Sequence, residues 1–413
     1  MNLHSTRQRL VVIGNGMAGV RAVEEILKLA PEKFAITIIG EEPYGNYNRI
    51  LLSPVLAGES TIDDIMLNAP QWYADNGIEL IAGVAATAID RARREVALAD
   101  DRRVPYDTLI IATGSKPFIL PVAGNDLNGV IGFRDIADVE AMLAAAKRHR
   151  DAVVIGGGLL GLEAANGLMK NGMNVTVVHL MDTLMERQLD PKAGAMLKSS
   201  LEERGMRFFM RAQTERLLGG DDGRVRAVKL ADGREIDADL VVMAAGIVPE
   251  KRLAEEAGLY CERGIVVNDY MMTYDPRIFA VGECVQHRGV CYGLVAPLYE
   301  QARVLANHIA GRGWMTYEGS VTSTKLKVTG IDLFSAGDFL GGGDSEELIM
   351  LDEKAGVYKK LVIENDRLTG AVLYGDTMDG AWYFQLIREG SDISEIRGRL
   401  LFGQAHLGDS GHG

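Results

Sequence analysis

An apolar strand that runs into a glycine-rich turn and then a helix occurs twice in this chain, and that repetition limits the fold more than any other feature. Arg9 to Gly19 reads RLVVIGNGMAG, and Ala152 to Gly161 reads AVVIGGGLLG. Each copy leads through an amphipathic stretch into a β-branched run, AITII from Ala35 to Ile39 and NVTVV from Asn174 to Val178. Both are therefore expected to be βαβ units of about 30 residues, the context in which such glycines carry chemical meaning. Two further apolar runs, Thr108–Ala112 and Leu240–Met243, close on the small-residue turns Thr113-Gly114 and Ala244-Ala245-Gly246. The two halves thus correspond strand for strand, as duplication of a half-unit would leave them.

The glycines have separate tasks. Gly14 permits the tight turn, Gly16 lets backbone approach a pyrophosphate, and Gly19 lets the helix pack on the sheet. Met17 and Ala18 open that helix, whose positive end and unpaired N–H groups suit phosphate oxygens. An acidic residue just after the second strand accepts the ribose hydroxyls of an adenosine. Glu41 stands there, with Glu42 beside it. Gly156, Gly158 and Gly161 repeat the pattern around Leu159 and Leu160, but the position matching Glu41 is His179. No arginine pair follows to clamp a 2′-phosphate, so the choice between NADH and NADPH stays open. Two dinucleotide sites in one chain have a simple use: FAD in the first can meet a nicotinamide in the second at about 3–3.5 Å, the distance hydride transfer needs.

Charge and cysteine content remove other function classes. A formal net charge of −13 argues against nucleic acid, which needs a basic face. Cys261, Cys284 and Cys291 fit neither a disulfide framework nor CxxC or metal-knuckle spacing, so a reducing cytoplasm is the expected compartment and no metal site is expected. Cys284 is expected to be a structural, half-buried thiol. Arg7 and Arg9 precede an apolar run, but Leu10–Ile13 is too short for a signal segment, and no run approaches the roughly 18 residues of a membrane span. After the run IFAVGE (Ile278–Glu283), a helix from Leu298 is expected to end at Gly311, and strands and turns follow from about Trp314.

Four segments carry a narrower resemblance: EEPYGNYNRILLS from Glu41 to Ser53, LMERQLD from Leu184 to Asp190, VGEC from Val281 to Cys284, and TKLKVTGIDLFSAG from Thr324 to Gly337. With the glycine turns they resemble the pyridine-nucleotide–disulfide oxidoreductase superfamily, in the branch of rubredoxin and ferredoxin reductases. More narrowly, they look like the N-terminal flavoprotein part of the assimilatory NAD(P)H nitrite reductase large subunit. The implied fold class is α/β, glutathione-reductase-like. It has a discontinuous FAD-binding Rossmann-like domain (1–116 and 250–314), an NAD(P)H-binding one (117–249) and a C-terminal α+β domain (315–413).

By the same resemblance, Glu41 holds the adenosine ribose and Ala86 meets the adenine through its backbone. Arg49 and Arg134 lie near the cofactor phosphates, and Ala112 with Thr113-Gly114 lines the pyrophosphate. Gly282-Glu283 sits by the ribityl chain and Val295 near the flavin ring, while Gly246 belongs to the second nucleotide site. Glu163 is the candidate catalytic residue beside the nicotinamide. Many relatives carry a lysine after the serine of the first-domain motif to pair with that carboxylate. Here Ser53 is followed by Pro54, so that ion pair is absent.

No CxxC lies in the first domain, so a disulfide-reductase mechanism is not expected. Nor do the three cysteines supply iron–sulfur or sirohaem ligation, so nitrite reduction itself is not expected on this polypeptide. The resemblance implies an FAD-dependent NAD(P)H oxidoreductase that passes electrons to a small redox protein or a reductase subunit. Lys325 and Lys327 of the tail are candidates to meet an acidic carrier. The alternatives are a self-contained oxidase or diaphorase and a redox sensor without turnover. Oligomeric state is not specified.

Overall fold

The computed structural model describes residues 7–407 except Lys327 and Thr329. Of the two tail lysines singled out above, Lys327 therefore lies outside the described residues. By contact, the chain groups into two compact units. One comprises Met1–Leu51, Thr61–Lys116 and Ile247–Ser320, and the other Leu52–Ser60, Pro117–Gly246 and Val321–Gly413.

The first unit is built on a parallel sheet in the order Ile278–Ala280, Thr108–Ile111, Gln8–Ile13, Phe34–Gly40, Ile78–Ala82. Its strands are apolar on both faces because both faces are covered: Leu10, Val12, Ile38, Ile110 and Ile278 are fully buried. The helix Met17–Leu29 lays Val20, Val23 and Ile26 onto the sheet. The chain leaves Gln8–Ile13 toward Phe34–Gly40 on one side and returns as Thr108–Ile111 on the other. That reversal opens a crevice at the carboxyl ends of the strands, where ligands of such sheets bind.

The second unit repeats this arrangement, with parallel order Val130–Ile131, Leu240–Met243, Asp151–Ile155, Asn174–Val178, Arg207–Phe209. Leu240–Met243 pairs with the glycine-turn strand as Thr108–Ile111 does in the first unit. The correspondence read from sequence is thus a correspondence of position in the sheet. The segment Leu52–Ser60 groups with this unit. Asn171 Nδ2 donates to the Leu56 carbonyl at 2.7 Å and Lys170 pairs with Glu59, fixing the segment to the end of helix Leu159–Lys170.

The chain ends in an antiparallel sheet ordered Ser323–Lys325, Leu333–Gly337, Arg367–Tyr374, Val357–Glu364, Glu346–Asp352. One face packs Phe334, Leu361 and Leu373 under Tyr383 of helix Gly380–Glu389. The other meets helix Pro191–Glu203 of the second nucleotide fold: Tyr358 donates to Asp190 at 2.6 Å, and Ser200 Oγ lies 2.6 Å from the Tyr374 hydroxyl. Lys325 is exposed on the first strand of this sheet. Among the described residues no helix is long and apolar enough to cross a membrane.

Candidate functional site

In the first glycine turn the sequence requirement is steric. Gly14 has φ +115°, and a Cβ there would sit 2.1 Å from the Ala112 carbonyl oxygen. A Cβ on Gly19 would sit 2.4 Å from the carbonyl oxygen of Gly14. Gly16 is different: nothing lies within 4 Å of where its Cβ would be. It is also the N-cap of helix Met17–Leu29, with no side-chain cap and no acidic residue in the first turn. The helix therefore presents unpaired N–H groups and its positive end to an open cradle that a side chain would fill. That is the shape and charge a pyrophosphate requires, so these residues fit the group the sequence implies.

Asn15, inside the turn, is held from two sides. Its side chain donates to the Tyr44 carbonyl at 3.1 Å and accepts from the Tyr73 hydroxyl at 2.7 Å. Past the second strand the two acidic candidates separate. Glu42 accepts from Tyr47 at 2.7 Å and pairs with Arg49, whereas Glu41 is exposed. Arg49 also lies over the Tyr47 ring, 4.8 Å from its centroid. Ala86 begins the strand Ala86–Asp90 in the same unit.

The neighbouring strand ends are fastened by polar contacts that sequence reading did not find. Thr113 Oγ1 donates to the Glu250 carbonyl at 2.5 Å, and the Glu250 N–H returns to Gly114 O at 2.9 Å. Ser115 donates to Glu283 at 2.8 Å, and the Gly282 N–H donates to buried Gln301 at 3.1 Å. Val295 is the first residue of helix Val295–Ile309. Cys284, expected to be half-buried, is fully buried, and burial pushes its thiol up to about 11. The reason is its place after strand Ile278–Ala280, inside the first unit's core. With little thiolate near neutral pH and no access, it is inert. A thiol reagent on the native protein is expected to label Cys261 and Cys291 and to spare Cys284, as peptide mapping would show.

The second turn repeats the steric pattern. A Cβ on Gly156 would lie 2.3 Å from the Ala244 carbonyl oxygen and one on Gly161 2.0 Å from that of Gly156, while Gly158 is open. Gly158 is likewise an N-cap without a side-chain cap, followed by Leu159 and exposed Leu160. Gly246 has φ +128° and no neighbour where a Cβ would stand. Arg134, grouped with this unit, donates its backbone N–H to Asp138 at 2.6 Å.

Glu163 is 2% exposed on helix Leu159–Lys170, which the second glycine turn opens. Ser53 Oγ donates to its Oε2 at 2.5 Å, a length typical of a hydroxyl on a carboxylate. Where the resemblance led one to look for a lysine after the serine, the serine itself supplies the contact. Sequence could not have found it, because the partners lie 110 residues apart. Removing a donor from a buried carboxylate costs about 2 kcal/mol. Ser53→Ala is expected to lose that much in denaturant unfolding, and Ser53→Thr to keep most of it.

Residues 8–306 match the family described as pyridine nucleotide-disulphide oxidoreductase, and residues 323–391 the rubredoxin NAD+ reductase C-terminal domain. The chain is 53% identical to nitrite reductase (NAD(P)H) of Bacillus subtilis (strain 168) over 94% of its own length and 48% of that protein's. It is 46% identical to the assimilatory nitrate reductase electron transfer subunit of the same organism, over 96% of its own length and 51% of the relative's. It spans about half the length of these curated relatives. A chain in the solved structure of the covalent putidaredoxin reductase–putidaredoxin complex superposes with a TM-score of 0.85 at 28% identity, covering 93% of this chain and 94% of that one. A model match over most of the chain and relatives this similar leave one assignment: the chain belongs to the pyridine nucleotide-disulphide oxidoreductase family.

Proposed function

We propose that the protein is an FAD-dependent NAD(P)H oxidoreductase that hands its electrons to a separate acceptor, either a small redox protein or a nitrate or nitrite reductase component. The observation that carries this reading is the pair of glycine turns. Each stands at the carboxyl end of a parallel sheet with its second glycine open and its helix uncapped. One dinucleotide site would bind a nucleotide; two give hydride transfer a donor and an acceptor.

In the first site Gly14, Gly16, Met17, Ala18 and Gly19 would receive the FAD pyrophosphate, with Ala112, Thr113 and Gly114 along it. Glu41 would take the ribose and Ala86 the adenine. Arg49 and Arg134 would lie near the phosphates, Glu283 by the ribityl chain and Val295 near the ring. When bound, FAD supplies the capacity to take up a hydride and release its electrons one at a time. The chain's own part is to hold and orient. Ser115 fixes the Glu283 carboxylate, Gln301 fixes Gly282, and Ser53 fixes Glu163. The second turn would bind NADH or NADPH through Gly156, Gly158, Leu159, Leu160, Gly161 and Gly246. Glu163 would be the buried carboxylate beside the reacting ring. Relatives named for ferredoxin and putidaredoxin reduction support exposed Lys325 as part of the surface that meets the acceptor, and three cysteines free of disulfides support a reducing, cytoplasmic compartment.

The purified protein should be yellow, release FAD and not FMN on heat denaturation, and bleach when mixed anaerobically with NADH or NADPH. Released FMN, or no bleaching with either nucleotide, would overturn the reading. Glu41→Ala should weaken FAD retention by about tenfold, since a charged acceptor for the ribose is lost. Flavin remaining after dialysis measures it, with Glu42→Ala as a control that disturbs the Tyr47 and Arg49 contacts instead.

A further inference from the structure

The position after the second strand differs in kind between the two nucleotide folds. Glu41 is exposed after strand Phe34–Gly40. His179, its counterpart after Asn174–Val178, is 6% exposed, and both of its ring nitrogens are engaged inward. The Gly157 N–H donates to Nδ1 at 3.0 Å. Nε2 lies 3.0 Å from the Thr183 carbonyl oxygen and 3.3 Å from Glu186 Oε2. An Nδ1 that accepts places the ring proton on Nε2, where it has two acceptors to choose from. The Met185 N–H donates to the Gly157 carbonyl at 2.9 Å, so the middle residue of the glycine turn is held through both its N–H and its C=O.

We infer that His179 is a positioning residue that locks the second glycine turn, and that this site, lacking a ribose carboxylate, accepts dinucleotides with or without a 2′-phosphate. This rests on the nucleotide reading of the second turn given above. A carboxylate after the strand would act twice, accepting from the ribose hydroxyls and repelling a 2′-phosphate. His179 does neither, because its nitrogens are spent on Gly157, Thr183 and Glu186. The next two side chains, Leu180 and Met181, are exposed and apolar. The first charged group after them, Asp182, is paired with Arg211 at 2.9 Å, so the carboxylate and the guanidinium offset one another for an incoming ribose or phosphate.

Calorimetric titration of the FAD-loaded protein with 5′-ADP and with 2′,5′-ADP tests this without turnover. The two dissociation constants should agree within about tenfold, the discrimination a single charged hydrogen bond provides. His179→Ala should weaken both fragments by a similar factor and leave their ratio unchanged. His179→Asn, whose side-chain oxygen can still accept from Gly157, should restore much of the loss. A wild-type preference above about a hundredfold for either fragment, or a changed ratio in His179→Ala, would overturn the inference. If neither fragment binds wild type at about 1 mM, the nucleotide reading itself fails and takes the inference with it.

Discussion

Gly158→Val is expected to fold, keep its FAD and lose nearly all reduction by NAD(P)H. The position has φ −83° and ψ −177°, extended backbone that valine adopts readily. Nothing in the protein lies within 4 Å of the added Cβ, so the native structure has room for it. The space it fills is the cradle over the uncapped helix end, where a pyrophosphate would take backbone N–H bonds. Losing two charge-assisted bonds of that kind weakens nucleotide binding by about a hundredfold or more. Flavin absorbance before mixing and the rate of bleaching after it separate the two sites. Gly16→Val should give the converse, a folded protein without bound flavin. A Gly158→Val protein that lost FAD as readily as nucleotide reactivity would contradict the assignment of separate sites.

Three residues further on, Gly161→Ala should show the opposite balance, a stability defect. Its Cβ would stand 2.0 Å from the carbonyl oxygen of Gly156, and that oxygen belongs to backbone in a turn already at φ +123°. No flexible side chain can yield, so the helix must move off the sheet. Overpacking against backbone falls at the upper end of the usual range, about 3 kcal/mol, enough to lower the melting temperature of the nucleotide fold by about 10 °C. Calorimetry of the loaded protein would measure it, and an unchanged melting temperature would contradict so close an approach of the helix to the Gly156 backbone. Only the second of these two glycines is a matter of folding. The first is left open by the fold.

How much of this was legible depends on whether the physical requirement is local. The glycine triplets, their flanking strands and the helix starts all follow from short-range rules: positive φ, close approach of backbone, and apolar runs buried on both faces. The sequence stretches Asn174–Val178 and Leu240–Met243 were readable as strands to the residue, and the equivalence of the two halves with them. Glu41 was singled out for standing directly after a strand, but that it stays exposed while Glu42 is taken by Tyr47 and Arg49 is seen only in the folded chain.

The sequence by itself therefore determined that two nucleotide-type turns exist, where they lie and which residues shape them, because chain neighbours impose those constraints. Only the tertiary structure decided what the polar side chains do. It turned His179 inward onto Gly157, gave Glu163 a hydroxyl partner from Ser53, closed Cys284 inside a core and set Tyr358 on Asp190. Each of these pairings joins residues 22 to 168 positions apart or, for Cys284, depends on strands from distant parts of the chain. A buried polar group must find a partner, but which partner it finds is settled only when the sheets have brought remote segments together.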